Sequence, residues 1–200
     1  MTIFEMIFDP LLANQGVRAI SLVEHPAIES NFIALKADET PVKLAAVPER
    51  RVVMGAVLIP DKPILRNDPK TQEDFYIYFS TPTVESIAEH FLLRGMQGAA
   101  TLEHEKQAKG ITLVESWIVV DPEKDKAAFY NLSVPAGTWM AALKVEDDTI
   151  WNDFIKTGEL KGFSIEGYFG MELRDIEMSK TPEKKKTVNE MLEEMADQFI

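Results

Sequence analysis

The sequence predicts an α+β domain. Runs rich in β-branched and aromatic residues recur over 17–23, 51–59, 74–80, 111–120, 136–145 and 161–169. Two other stretches, 82–94 and 148–157, carry apolar residues at helical spacing instead. The chain has 200 residues, 46% hydrophobic and 27% charged, which is enough for one buried core.

Residues 1–16 form an apolar segment that ends in a turn around Asn14-Gln15-Gly16. The strand over 17–23 closes at His25-Pro26, where the proline disfavours helix at the residue before it. Residues 36–50 are polar, contain Pro41 and Pro48, and read as a loop. The strand over 51–59 is stopped by Pro60-Asp61-Lys62-Pro63, and 66–71 reads as a loop. In 74–80, Phe75, Ile77 and Phe79 alternate with polar residues. Thr81-Pro82 then supplies a hydroxyl cap and a proline at the first helical position. Its apolar face is Val84, Ile87, Ala88, Phe91 and Leu92, and Gly95 ends it.

Residues 101–105 are a strand end and 106–110 a turn. The apolar strand over 111–120 is interrupted by Glu115 and Ser116, and 121–130 is a charged loop or short helix. Residues 136–145 form a strand carrying Trp139. Asp148 caps a helix over Ile150, Trp151, Phe154 and Ile155 that stops at Gly158. The strand over 161–169 follows. Beyond Gly170 the pattern weakens, until Val188, Met191, Leu192, Met195 and Phe199 recur at helical spacing in an acidic tail. The division is a domain over 1–175 and an amphipathic tail over 176–200, suited to docking on a partner.

Composition removes several classes of function. The absence of cysteine excludes disulfides, thiol catalysis and thiolate metal sites. A net charge of -12 opposes binding to nucleic acid or to anionic lipid. The basic run Lys184-Lys185-Lys186 is flanked by glutamates and reads as solvated. No apolar run reaches the roughly 18 residues of a membrane helix. The His104-Glu105 pair lacks the second histidine of a zinc helix, since position 108 is alanine. No metal or cofactor is expected, and no glycine pattern for nucleotides is present.

The chemistry that remains centres on Gly162-Phe163-Ser164-Ile165-Glu166-Gly167. On a strand, Ser164 and Glu166 share one face, opposite Phe163 and Ile165. Glycines inside a strand mark a bulge or a close approach by a chain or ligand, so Ser164 is either a solvated residue of a bulged strand or a nucleophile beneath a peptide. A serine hydroxyl needs a base, usually histidine, and an acid to orient that base. His104 stands beside a turn, whereas His25 and His90 read as structural and solvated. Glu115 interrupts a strand that is apolar on both faces, so its carboxylate either needs a partner there or, at an edge position, reaches water. Ser164, His104 and Glu115 thus supply the three roles, although most chains of this size contain such a trio.

Five motifs together carry a resemblance over about residues 17–170. They are the run from Val57 through Pro60-Asp61-Lys62-Pro63 to Arg66, His104-Glu105, Val114-Glu115-Ser116-Trp117-Ile118-Val119, Gly137-Thr138-Trp139-Met140, and Lys161-Gly162-Phe163-Ser164-Ile165-Glu166-Gly167. In that order they resemble the XkdF-type serine proteases of tailed phages, which are related to the prohead (capsid maturation) proteases and the herpesvirus assemblins. The resemblance implies a β-barrel flanked by helices. It implies a serine endopeptidase in the host cytoplasm, inside the immature phage head, with scaffold and capsid protein, and itself, as substrates. Ser164 becomes the nucleophile and His104 the general base. In the wider prohead family a third member lies in a strand reading Glu-Val-Ser-Leu-Val, after the serine. Here Ala19-Ile20-Ser21-Leu22-Val23 precedes the serine, as in a circularly permuted chain, and Ala19 replaces that glutamate. For the third role Glu115 ranks first, Glu166 second and Glu105 third. The alternative function is a non-enzymatic capsid-assembly or scaffold-binding protein on the same fold. A hydrolase of small esters would need a deep enclosed pocket instead.

Overall fold

The computed structural model describes residues 2–35 and 50–173. The polar loop expected over 36–50, apart from Arg50, and the tail helix expected over 176–200 lie outside the described residues. Along the chain run β1 (Ile3–Ile7), β2 (Gly16–Val23), β3 (Ile33–Leu35), β4 (Val52–Leu58), β5 (Ile64–Asn67), β6 (Asp74–Tyr78), α1 (Thr81–Leu93), β7 (Ala100–Leu102), β8 (Lys106–Gln107), β9 (Ile111–Ile118), α2 (Lys126–Phe129), β10 (Trp139–Val145), β11 (Gly162–Tyr168) and β12 (Gly170–Leu173). A 3-10 turn over Met96–Gly98 and a π-helical segment over Ile150–Ile155 complete the described elements.

The described residues are mostly β with few helices, in keeping with the α+β class, and among them the strands do not close into the expected barrel. Their ladders form three four-stranded sheets, ordered β12-β1-β6-β5, β3-β4-β10-β9 and β11-β2-β7-β8. The last two meet where β11 packs against β4. Asn31 bridges Gly162 there, and Phe32 N–H donates to Lys161 C=O at 2.7 Å. Every residue of β4 is buried, which explains its unbroken apolar sequence. Between the sheets lie Ile20 and Leu22 of β2, Val57 of β4, Trp139 of β10 and Phe163 of β11. The α1 helix covers them with Val84, Ile87, Ala88 and Phe91, and the Phe91 ring meets Trp139 at 5.7 Å.

Several local readings shift. The helix cap is Ser80 rather than Thr81, which is already helical, so the proline stands at the second helical position rather than the first. Leu92 reaches the rim of the apolar face, and Gly95 turns the chain with φ 68°. Asp147, not Asp148, receives the Ile150 N–H (2.9 Å), while Asp148 pairs with Arg51. β1, β5 and β12 appear where loops or weak pattern were expected.

Candidate active site

The β11-β2-β7-β8 sheet assembles the site. β2 pairs with β11 antiparallel and with β7 parallel. Ser164 lies opposite Ser21, Ser21 opposite Thr101, and Thr101 opposite Gln107. Directly opposed residues share a face, so these four side chains form one row across the sheet. Phe163 points the other way and is fully buried in the core. Alternation therefore leaves Ser164 half-buried on the outer side, as the sequence predicts.

The glycines around Ser164 have a structural explanation. A Cβ on Gly162 would meet Pro26 Cγ at 2.5 Å and Ser30 C=O at 2.8 Å. A Cβ on Gly167 would run into the Gly16 carbonyl, and the pairing register shifts between Glu166 and Gly167. Both glycines thus admit other parts of this same chain, and the second sits at a bulge.

His104 reaches the row from the turn between β7 and β8. Glu105 N–H donates to Leu102 C=O at 3.0 Å, and the two residues between, Glu103 and His104, have φ of 50° and 59°. Positive φ at both central positions is the pattern of a type I′ hairpin turn. The turn is fastened to β2 by His104 N–H on Ser21 Oγ (3.0 Å), Glu103 N–H on Leu22 C=O (3.1 Å) and Glu24 N–H on Glu103 Oε1 (2.6 Å). The imidazole then places Nδ1 3.3 Å from Glu166 Oε1, with both side chains partly solvated.

Glu166 gets there because its cross-strand neighbour is small. Ala19 lies directly opposite it on β2. Only a methyl stands between the carboxylate and β7, where Thr101 Oγ1 donates to the same Glu166 Oε1. The acid beside His104 is therefore Glu166, two residues along the strand from Ser164. Glu105 lies in the turn itself, exposed.

Glu115, the first choice for the acid, sits elsewhere. It belongs to β9, the edge strand of a different sheet, and its carboxylate bonds Lys126 Nζ. Lys126 also lies 5.4 Å from the centre of the Trp117 ring. The strand is an exposed edge rather than covered on both faces, so Glu115 partly reaches water, and its partner is a lysine on α2. A shift of register between Ala142 and Leu143 also breaks the alternation of β9, so that Glu115 lies opposite Ala142 and Leu113 opposite Leu143. An open depression of about 470 Å³ lined by Val114, Glu115, Trp117 and Lys126 belongs to that edge. The other histidines play no part here. His25 is exposed, and His90 packs edge-on against Phe8 at 5.1 Å. Among the described residues no cluster of histidine and acidic side chains is arranged to hold a metal. Among them, no helix is long and apolar enough to cross a membrane.

One face of this sheet thus carries an imidazole with one nitrogen near a carboxylate, and a half-buried serine. The contacts of His104 among the described residues are those to Ser21 and Glu166, and no hydrogen bond joins it to Ser164. The chain matches the family described as "Putative phage serine protease XkdF" over residues 41–172, more than half its length, and it belongs to that family. No curated protein and no solved structure matches it. Sequence reasoning missed Ser21 and Thr101. The available signal was a lone hydroxyl in the otherwise apolar run Ala19-Ile20-Ser21-Leu22-Val23, where burial demands a hydrogen bond.

Proposed function

We propose that the protein is a serine endopeptidase of phage head maturation, related in fold to the prohead proteases, with Ser164 as nucleophile, His104 as general base and Glu166 as the orienting acid. The observation that carries this reading is the His104 Nδ1 to Glu166 Oε1 contact, made on the sheet face that also presents Ser164. Nδ1 is engaged by the carboxylate, which leaves Nε2 to accept a proton. Ser164 Oγ attacks the scissile carbonyl and its proton passes to Nε2. The imidazolium, stabilised by Glu166, returns the proton to the leaving amine, and water then hydrolyses the acyl-serine ester by the same route.

The substrate would be an extended chain. Beyond the Gly162 bridge, no strand among the described residues pairs with β11 on the side away from β2. An unfolded segment can add there as a strand, with its carbonyl beside Ser164. The expected substrates are segments of scaffold and capsid protein, and the protein itself, within the immature head. Ala19 also gains a reason. Where the wider prohead family places its glutamate on the β2-like strand, this chain would supply the carboxylate from the strand alongside.

The test is co-expression with the phage's capsid and scaffold proteins. Wild type is expected to shorten one or both, and Ser164→Ala is expected to fold and leave both intact. Full processing by Ser164→Ala removes Ser164 as nucleophile. One observation favours a second reading, a capsid-assembly protein without catalysis: Ser164 and His104 share no hydrogen bond in the structure. Catalytic hydrogen bonds are often loose before substrate arrives, so the proteolytic reading ranks first.

A further inference from the structure

The hydroxyl row across the β11-β2-β7-β8 sheet holds more than the nucleophile. Ser21 is fully buried, and its Oγ accepts the His104 N–H at 3.0 Å. That N–H belongs to a turn whose two central residues, neither of them glycine, both have positive φ. Such a backbone persists only where its surroundings over-determine it. On the far side of Ser21, Thr101 Oγ1 donates to Glu166 Oε1, the oxygen that also faces His104 Nδ1. The carboxylate thus accepts from the Thr101 hydroxyl and lies 3.3 Å from the His104 ring, whose backbone N–H is tied to Ser21.

We propose that Ser21 and Thr101 are positioning residues: Ser21 fixes the backbone that carries the imidazole, and Thr101 fixes the carboxylate that orients it. The inference rests on the proteolytic reading given above. Neither hydroxyl serves as nucleophile, since Ser21 is covered and Thr101 is committed to Glu166. Ser21 lies before residues 41–172, so one support of the site comes from outside the stretch that matches the family.

A fluorophosphonate probe reads the arrangement without a known substrate. Ser164 Oγ attacks phosphorus, a P–O bond forms, fluoride leaves, and the hydroxyl proton goes to His104. The rate of adduct formation at Ser164 is measured by peptide mass mapping on the full chain, beside its melting temperature. Thr101→Val keeps the shape and deletes the donor, whereas Thr101→Ser keeps the donor. Labelling is expected to fall roughly 10- to 100-fold in Thr101→Val and in Ser21→Ala, the usual scale for a misplaced catalytic group. Thr101→Ser is expected to stay near wild type at a melting temperature similar to that of Thr101→Val. Wild-type rates in Thr101→Val, or equal losses in the valine and serine variants, overturn the inference. If Ser21→Ala fails to fold, the Thr101 pair still decides. Absence of any adduct at Ser164 in wild type brings down the proteolytic reading and this inference together, whereas a labelled wild type with undiminished variants brings down the inference alone.

Discussion

At the scale of single residues, two glutamates compete for one role, and their partners separate them. Glu166 faces His104 Nδ1, and Glu115 faces Lys126. Glu166→Gln keeps the shape but removes the charge that supports an imidazolium, so processing is expected to slow by roughly 10²- to 10⁴-fold. Glu115→Gln is expected to leave processing near wild type and to cost about 1 kcal/mol or less, as for a partly exposed ion pair. Rates of capsid-protein shortening in the two variants check this, and the reverse ranking contradicts the assignment. Glu166 was legible because alternation alone places it beside Ser164. The ranking of Glu115 above it failed for two reasons. Sequence cannot show the shift of register within β9, nor that Lys126 would return to cover the carboxylate.

At the scale of elements, β11 is shaped by what presses on it. Gly167 admits the Gly16 carbonyl at the bulge. Gly167→Ala must push backbone against backbone, so a loss of roughly 1–3 kcal/mol is expected in denaturant unfolding. An unchanged stability would show that the bulge yields. The loop before α2 supplies a pH-dependent prediction. Asp121 is partly exposed, and its carboxyl is held below the usual range, first by the Lys124 ammonium and then by the Glu123 N–H. A depressed folded pKa gives stability that is present above the unfolded value and is lost as pH falls through the folded value. Asp121→Asn is therefore expected to flatten the acid side of the stability curve only slightly, and a large shift in the acid midpoint would contradict that. The strands with apolar or alternating runs, β2, β4, β6, β9, β10 and β11, were legible from those runs. β5 was not, because Leu65-Arg66-Asn67 is exposed and earns its strand by pairing with β6. β1 also pairs with β6, some seventy residues away (76 minus 3), which no local pattern announces.

At the scale of the whole molecule, the class was legible and the closure was not. Periodicity tells which residues are buried, but not which strand edges meet. The result is three sheets where a barrel was expected. The site depends on this arrangement, since Ser164 and Glu166 come from β11, His104 from the β7–β8 turn, and Ser21 from the strand between. Phe163 ties the reverse face of β11 to the core, and its ring lies 5.1 Å from Phe32. Phe163→Ala is expected to cost about 3–5 kcal/mol and to lower processing only through lost folded protein. Activity normalised to the folded fraction is the check, and a further loss beyond that would show the core acting on the site directly.

The proposal that the Ser164 hydroxyl works with the His104 imidazole is tested most directly with purified components. Scaffold and capsid proteins are incubated with wild type, Ser164→Ala or His104→Ala, and their intact masses are followed over time. Wild type should yield discrete fragments, and both variants, folded by circular dichroism, should yield none above background. Fragments released at the wild-type rate by either variant would contradict the account.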